Sequence, residues 1–233
     1  MQIVSPYRPF PAESSAHRKL GPFDWVGAVR MLAESAFRIG PYHVSVITDL
    51  DSPLPVPAFS YHTHERRLML WILEVSLRYL ESADFVQDTV MMSPDTLVLR
   101  PLTGFFAGDL TVLTRPAPKH ATRPHHPIIN AVQWWPVRSK DRLIDFYRQV
   151  LALAKTMPAN VIEWGADTAA LVQLLSPITT GMHQRAGLQV SMLDANQILT
   201  NRVQTGQMAA IAHFKYRAKP QMAASFARLM ASA

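Results

Sequence analysis

The first 48 residues alternate between strand-like and helix-like patterns. The apolar run from Met1 to Ser5 predicts a strand, and the β-branched run from Tyr42 to Thr48 predicts a second one. Between them, Asp24 is placed as the N-cap of a helix that Gly40-Pro41 ends. A strand, helix, strand order with a crossover of this length favours a parallel pair of strands. The chain is therefore expected to belong to the α/β class.

The stretch from Ala83 to Leu102 places a polar turn between two further apolar runs. Phe85 to Met92 and Leu97 to Leu99 are predicted strands, and Ser-Pro-Asp-Thr forms the turn between them. Ligands bind at the carboxyl ends of strands in open α/β sheets, so Asp95 in this turn is a candidate to hold a cation or a sugar hydroxyl. The alternative is that the Asp95 side chain only stabilises the turn.

Later segments continue the same alternation. Helices are predicted over about His64 to Glu81, Ser139 to Thr156, Trp164 to Leu175 and from Pro220, and strands over Phe105 to Leu113, Ile128 to Val137, Gln189 to Leu193 and Ala209 to Phe214. We expect a mixed, mostly parallel central sheet flanked by helices, in a single domain. Two Pro-rich segments, Pro6 to Pro22 and Thr114 to Pro127, are predicted to be functional loops or plain solvated surface.

Composition narrows the function classes. The chain has no cysteine, which excludes disulfides, zinc-thiolate sites and a cysteine nucleophile. Its formal net charge is +6, which favours nucleotides, nucleic acid or other polyanions as partners. The amino terminus lacks the pattern of a signal peptide, and the longest apolar run, from Leu68, is charged and too short to span a bilayer. These features predict a cytoplasmic location.

The central stretch resembles a known family. The sequence FVQDTVMMSPDTLVLRPL is similar to the strand and D-x-D turn of GT-A-type nucleotide-sugar glycosyltransferases. Ser93 stands in place of the first acid, and Asp95 stands in place of the second. The family fold, GT-A, is itself a Rossmann-like α/β sheet flanked by helices, in agreement with the predicted elements.

Two later segments extend the resemblance over roughly residues 40 to 222. IINAVQWWPVRS and WGADTAAL are similar to the family's N-x-G segment and G-x-D-Q helix start; Asn130 and Asp167 match, and Thr168 replaces the usual Gln. HFKYRAKP resembles the H-x-x-G-x-x-K-P signature of family eight, the galactosyltransferase and glycogenin-like enzymes. His213 and Lys219 fall at the matching positions, while a tyrosine replaces the glycine.

The resemblance implies a diphosphate-binding centre. In the family, a divalent metal held by the D-x-D acids and the His stabilises the leaving diphosphate, and the Lys contacts the phosphate. Asp95 and His213 are accordingly the predicted ligands of Mn²⁺ or Mg²⁺. Ser93 offers only a neutral oxygen, so Lys215, Arg217 and Lys219 are the alternative source of positive charge.

The resemblance also implies catalytic residues. Asn130 and Asp167 are predicted to line the pocket for the donor sugar and acceptor, with Asp167 stabilising an oxocarbenium-like transition state. The alternative for Asp167 is a plain helix N-cap. By position alone, Asp49 at the end of the second strand is predicted to receive the nucleotide base, and Ser5 to Arg8 to lie along it.

The family resemblance predicts an enzyme that moves a sugar from a nucleotide diphosphate donor to an acceptor. The expected donor is a UDP-sugar, and the transfer is expected to retain the anomeric configuration. Residues 1–127 would form the nucleotide-binding half and residues 128–233 the acceptor-binding half. A glycan, a protein or a modified nucleic acid would serve as acceptor, the last suggested by the basic charge and a compact size typical of phage enzymes. Two alternatives are a decayed nucleotide-sugar-binding protein and a DNA-binding or DNA-modifying protein whose binding weakens with salt.

Overall fold

The structure is a computed structural model that describes residues 1–8, 23–49, 54–115, 127–201, 203, 208–215 and 218–231. Most of the Pro-rich connector after the first strand and most of the His-rich segment before Pro127 lie outside the described residues. The same holds for Arg217, one of the predicted sources of positive charge.

Strands and helices alternate along the chain. The helices are α1 (Trp25–Ile39), α2 (Leu68–Glu81), α3 (Lys140–Lys155), α4 (Ala159–Trp164), α5 (Ala166–Leu175), α6 (Ala195–Ile198) and α7 (Gln221–Ala231). The strands are β1 (Gln2–Pro6), β2 (His43–Thr48), β3 (Ala58–Ser60), β4 (Thr89–Met92), β5 (Thr96–Val98), β6 (Leu110–Thr114), β7 (Ile128–Trp135), β8 (Gly181–Arg185), β9 (Leu188–Asp194), β10 (Leu199–Thr200) and β11 (Ile211–His213). No helix within the described ranges has the length and apolar character needed to cross a membrane.

Eight strands form one central sheet in the order β3-β2-β1-β4-β7-β6-β9-β8. Neighbours β3, β2, β1 and β4 pair in parallel, as do β6 and β9, whereas β7 and β8 run antiparallel to their neighbours. This arrangement confirms the predicted mixed, mostly parallel sheet. It also brings the carboxyl ends of β1, β2, β4, β6 and β9 to one edge, where β7 begins.

The central sheet is buried on both faces, because successive side chains along a strand point to opposite sides. Val4 and Met91 pack in the core under α2, α3 and α5, whereas Ile3 and Val90 pack in the core under α1 and the smaller sheet. A sheet covered by helices on one side and by a helix and a second sheet on the other is a firm platform for side chains at its edge.

Helix α1 has the predicted ends. The Asp24 side chain accepts a hydrogen bond from the backbone N–H of Gly27 at 2.7 Å, and the Gly40 N–H closes the last turn. Within the helix, the buried Ser35 hydroxyl accepts from the N–H of Val98 at 3.0 Å. This bond ties α1 to β5, which follows Asp95 directly.

Several predicted elements differ from the observed ones; the strand predicted from Phe105, for example, begins only at Leu110. Helix α2 begins at Leu68 rather than near His64, because the side chains of Thr63 and Glu65 bind backbone N–H groups of the preceding segment. The strand predicted from Phe85 begins only at Thr89, after a short turn. The run predicted as Leu97 to Leu99 leaves the central sheet, and β5 pairs with β11 in the small sheet ordered β10-β11-β5.

Ser139 precedes α3 as predicted but does not cap it with its side chain. Its hydroxyl instead donates to the buried carboxylate of Asp109 at 2.7 Å. Arg142 binds both oxygens of that carboxylate at 2.7 Å, and the backbone N–H of Gln189 binds one of them at 2.9 Å. Asp109 therefore joins β6, β9 and α3 at the edge of the sheet opposite the candidate site.

Candidate active site

Polar side chains converge at the edge of the sheet where the parallel strands end. Asp49 follows β2, Asp95 follows β4, and Arg115 follows β6. Asn130 reaches the same edge because β7 runs antiparallel to β4 and β6 and begins there. In open α/β sheets this edge is where ligands bind. The direction of the strands therefore assembles the site residues that are distant in sequence.

Hydrogen bonds on both sides hold the turn that carries Asp95. The backbone N–H of Ser93 donates to the carbonyl of Ala131 at 2.8 Å, and the Thr96 hydroxyl donates to the carbonyl of Ser93 at 2.6 Å. From the smaller sheet, the N–H of Phe214 donates to the carbonyl of Asp95 at 2.9 Å. The Ser93 hydroxyl donates to Asp95 Oδ1 at 2.5 Å, which fixes the carboxylate itself.

Two basic side chains from the carboxyl-terminal segment contact the Asp95 carboxylate. Lys219 Nζ donates a hydrogen bond to Oδ2, and His213 Nε2 lies 3.5 Å from Oδ1. Asp95 is 5% exposed, His213 is 8% exposed and Lys219 is 4% exposed, so the three residues form one buried cluster. The structure thus brings together Ser93, Asp95, His213 and Lys219, which the motif resemblance implies to be neighbours.

The Asp95 carboxylate stays charged in its buried position. Burial disfavours the carboxylate, but the hydrogen bond and charge of His213 and the charge of Lys219 outweigh it and hold the pKa of Asp95 well below its usual range. The Lys219 ammonium also lies 4.0 Å from the ring centre of Trp25 and 5.0 Å from that of Phe23, where aromatic faces attract a cation. Asp95 is therefore neutralised from within the protein.

The donor set around Asp95 and His213 does not suit the predicted divalent metal. Mg²⁺ and Mn²⁺ take several oxygen ligands, with carboxylates supplying the compensating charge. Here the Asp95 carboxylate is already shared between the Lys219 ammonium and the Ser93 hydroxyl. In the part of the chain that the structure describes, no group of three or more His, Asp or Glu side chains could hold a metal ion. The divalent metal stays a prediction from the family resemblance.

The second predicted pair, Asn130 and Asp167, is also in contact. Asn130 Nδ2 donates to Asp167 Oδ2 at 2.5 Å. Asp167 is 6% exposed in the first turn of α5, where Gly165 takes the N-cap position. Its Oδ1 has no hydrogen-bond partner among the described residues. Burial raises the pKa of Asp167, and the hydrogen bonds from Asn130 and Thr168 only partly oppose this. Asp167 thus has one oxygen bound by Asn130 and one buried oxygen left over.

A chain of buried polar groups runs from Asn130 into the core. Gln133 Nε2 donates to Asn130 Oδ1, and the Tyr147 hydroxyl donates to Gln133 Oε1. Trp135 Nε1 donates to Tyr147 at 3.1 Å and to Gln133 at 3.2 Å. Because the Gln133 amide occupies the oxygen of Asn130, the Asn130 nitrogen is turned toward Asp167.

Sequence reasoning missed Gln133 as part of this group. Residues three apart on a regular strand point to opposite faces, so the spacing of Asn130 and Gln133 gives no signal. The register of β7 against β6 shifts here, since Val112 pairs with Gln133 and its neighbour Leu113 pairs with Ile129. This irregularity changes the direction of the Asn130 side chain, as bulges near functional sites often do.

A cavity of about 170 Å³ opens between the ends of β1 and β4. Its lining includes Tyr7, Arg8, Trp25, Trp71, Ser93 and Pro94. Three aromatic side chains and an arginine in so narrow a space suit a flat, π-bonded ring. The Trp71 ring nitrogen is buried and has no hydrogen-bond partner among the described residues.

The predicted base-binding residues lie around this cavity. Arg8 lies over the ring of Trp71, with its guanidinium carbon 5.5 Å from the ring centre. Arg8 Nε is 3.8 Å from Asp49 Oδ2, and Arg8 Nη1 donates to the carbonyl of Glu65 at 2.8 Å. Asp49 Oδ1 is buried and has no hydrogen-bond partner among the described residues. The structure therefore joins Asp49 to Arg8 but not directly to Asp95.

A larger cavity of about 470 Å³ lies beside His213. Its lining includes Arg115, Asn196, Thr200, Asn201, His213 and Lys215. The described lining contains basic and neutral polar groups but no carboxylate. Lys215, one of the predicted sources of positive charge, interacts electrostatically with both Asp95 and Asp167. Sequence reasoning missed Arg115, although a cation just past a predicted strand at the ligand-binding edge was an available signal.

A third cavity, of about 630 Å³, lies near the start of α2. His62 and His64 line it, with ring centres 4.8 Å apart in a perpendicular arrangement. The nearby Glu65 is bound by Arg67 at 2.7 Å. Each acid in the described lining is paired with an arginine, so none is free to pair with the two imidazoles. They are solvent-facing residues outside the cluster around Asp95.

The structure resembles solved glycosyltransferases. A crystal structure of a glycosyltransferase involved in the glycosylation of the major capsid of PBCV-1 matches with a TM-score of 0.58 and 14% identity, over 97% of this chain and 98% of that chain. The galactosyltransferase LgtC, solved in complex with donor and acceptor sugar analogues, matches with a TM-score of 0.56 and 11% identity, over 100% of this chain and 96% of that chain.

No protein-family model matches the sequence, and no curated protein matches it significantly. The likeness is therefore one of fold rather than of sequence, and it extends over almost the full length of both structures. It agrees with the resemblance inferred from the three motifs. The chain has the fold of GT-A-type glycosyltransferases.

Proposed function

We propose that this protein transfers a sugar from a nucleotide diphosphate donor to a hydroxyl group of an acceptor. The observation that carries the proposal is that two buried carboxylate centres lie at the ligand-binding edge of this fold. One centre, Asp95 with His213 and Lys219, presents basic groups for a diphosphate. The other, Asp167 with Asn130, presents acceptor and amide groups for sugar hydroxyls.

The cavities supply the remaining parts of a donor site. The base would enter the aromatic cavity beside Arg8 and Trp71. The diphosphate would lie between Lys215, which lines the larger cavity, and the Asp95 cluster that holds Lys219. The bond between the anomeric carbon and the β-phosphate oxygen then breaks, and its electron pair stays on that oxygen. The acceptor hydroxyl oxygen bonds to the anomeric carbon, and its proton passes to the departing diphosphate. The carboxylate of Asp167 would stabilise positive charge that develops on the sugar ring.

Several finer features follow from the family resemblance. The donor is proposed to be a UDP-sugar, and transfer is proposed to retain the anomeric configuration. Residues 1–127 would hold the nucleotide, with help from His213, Lys215 and Lys219, and residues 128–233 would hold the acceptor. The acceptor class stays open among glycans, proteins and modified nucleic acid.

The test is the slow hydrolysis of a panel of nucleotide sugars, followed as released nucleoside diphosphate, together with thermal stabilisation by each donor. We expect one donor to raise the melting temperature in a saturable way and to be hydrolysed by the natural protein. Asp167→Asn should bind that donor with similar affinity but hydrolyse it far more slowly. Asp145→Asn, which removes an exposed acid on α3, is the matched control and should behave like the natural protein.

The two alternatives give different results in the same assay. A decayed enzyme, which the replacement of the family's Gln by Thr168 would favour, would be stabilised by a donor but would release no diphosphate with any acceptor. A DNA-binding protein would be stabilised by no donor and would bind duplex DNA with an affinity that falls steeply with salt. Either result would contradict the proposed transfer.

A further inference from the structure

We infer that this protein stabilises its departing diphosphate with side-chain cations instead of a divalent metal, and that the Lys219 ammonium takes the metal's place beside Asp95. The inference rests on the proposed function, because it specifies how the same site handles the leaving group. It departs from the metal that the motif resemblance implies.

The charge of Asp95 is already balanced within the protein. A divalent cation needs uncompensated negative charge, which paired acids supply in a D-x-D turn. Here Ser93 replaces one acid, and the Lys219 ammonium already neutralises the other. A metal ion entering between Asp95 and His213 would meet a buried positive charge at short range.

Lys219 is held in place by its surroundings. Its side chain is 5% exposed and lies against the faces of Trp25 and Phe23. Its backbone carbonyl accepts from the N–H of Met222 at 3.0 Å, at the start of α7. An ammonium has three donor hydrogens, and Asp95 occupies only one of them. Lys219 can therefore remain paired while it donates to a phosphate oxygen.

Two further basic side chains lie next to this pair. Arg115 and Lys215 line the cavity beside His213, and its described lining contains no carboxylate. Arg115 comes from the end of β6 and Lys215 from the segment after β11, so two separate parts of the chain bring positive charge to one space. When the sugar bond breaks, the electron pair left on the β-phosphate oxygen would be met by these cations.

Calorimetric titration with UDP, GDP and inorganic pyrophosphate tests the inference. Each titration is run in EDTA and again with excess Mn²⁺, at equal ionic strength. We expect at least one of these anions to bind in EDTA with an affinity within about threefold of that in Mn²⁺. Lys215→Gln and Arg115→Gln should each weaken this binding about tenfold, as expected for the loss of one charge-assisted hydrogen bond.

Controls keep the result interpretable. Lys219→Gln should abolish binding, but it leaves Asp95 unpaired and risks unfolding, so the two exposed variants carry the test if it does not fold. Lys155→Gln removes an exposed lysine from the last turn of α3 and should leave binding unchanged. Asp95→Asn separates metal-dependent from metal-free binding most sharply. It removes a metal ligand but frees the Lys219 ammonium, so we expect anion binding in EDTA to persist or tighten.

The outcomes differ for the inference and for the proposed function. Binding that is at least tenfold tighter in Mn²⁺, and lost in Asp95→Asn, would overturn the metal-free site while leaving glycosyl transfer intact. Binding in EDTA that Lys215→Gln and Arg115→Gln do not weaken would also overturn it. The absence of binding to all three anions in both conditions would overturn the proposed function and this inference together.

Discussion

Asp95 and Asp167 are both buried carboxylates at the same edge of the sheet, but the protein surrounds them differently. Asp95 accepts from a lysine and lies 3.5 Å from a histidine nitrogen. Asp167 accepts from the neutral amide of Asn130 and keeps one oxygen without a partner among the described residues. Their pKa values accordingly move in opposite directions, lowered for Asp95 and raised for Asp167.

The difference separates two tasks. A carboxylate that is neutralised by buried cations orients those cations, and we propose that Asp95 thereby positions Lys219 for an anion. In the proposed transfer, a buried carboxylate whose hydrogen bond comes from a neutral amide, as in Asp167, would respond when positive charge develops nearby. The surroundings thus favour the charged form of Asp95, the proposed binding centre, and disfavour the charged form of Asp167, the proposed reacting centre.

The largest effect should come from breaking the Asp95 pair. Lys219→Ala leaves a buried carboxylate without its cation, and we expect it to lower the free energy of unfolding by about 3–5 kcal/mol. Urea denaturation measures this. The double variant Asp95→Asn with Lys219→Met should recover most of the loss, because it removes both charges. A loss below about 1 kcal/mol in Lys219→Ala would mean that the pair is not buried as described.

The next effect concerns the reacting centre. Asp167→Asn keeps the shape of the side chain and the bond from Asn130 but removes the charge. We expect donor hydrolysis to fall about 100-fold, or about 2.7 kcal/mol in the barrier, with little change in donor affinity. Steady-state kinetics on the donor found in the panel would show a fall in kcat with KM unchanged. An unchanged kcat would remove Asp167 from the mechanism.

A smaller effect should follow from loosening the network behind Asn130. Tyr147→Phe removes the hydroxyl that binds Gln133, and we expect a loss of about 1 kcal/mol in stability. The looser Asn130 amide should lower kcat several-fold while KM is retained. Comparison with Phe146→Leu, a nearby buried change outside the polar network, distinguishes positioning from general loss of packing. Equal kinetic effects in both variants would contradict a positioning role.

The smallest effect is on the pH dependence of stability. Because burial raises the pKa of Asp167 in the folded state above its ordinary value of 3.8, the unfolded chain ionises first as the pH rises. Asp167 therefore lowers the free energy of unfolding progressively as the pH rises from about 4 to its raised pKa in the folded state. The stability of the natural protein relative to Asp167→Asn, measured by urea denaturation, should fall over this range. A constant difference would show that the Asp167 pKa is not raised.

The sequence predicted the parts of the fold that depend on local signals. Asp24 and Gly40 mark the two ends of α1 as expected, since capping chemistry is local to a helix end. The departure of β5 into a second sheet was not predictable, because a three-residue apolar run does not encode its partner strand. The same limit applies to Arg115 and Lys215, which meet only because β6 and the segment after β11 end at one edge.

The sequence singled out members of the candidate site but not their arrangement. The resemblance to the family's motifs named Asp95, His213 and Lys219, which the structure places in contact. The direct pairing of Asp95 with Lys219 joins residues 124 apart in sequence, and no local pattern carries that information. The bond between Asn130 and Gln133 depends on an irregular register in β7, which alternation alone does not predict.

A crystal structure of the Asp167→Asn variant with an intact nucleotide sugar, grown in EDTA, tests the central claim most directly. We predict the diphosphate oxygens within hydrogen-bonding distance of Lys219 and Lys215, the base beside Trp71, and the anomeric carbon facing residue 167. A nucleotide sugar bound away from both carboxylate centres, or with its sugar remote from residue 167, would contradict the proposed transfer.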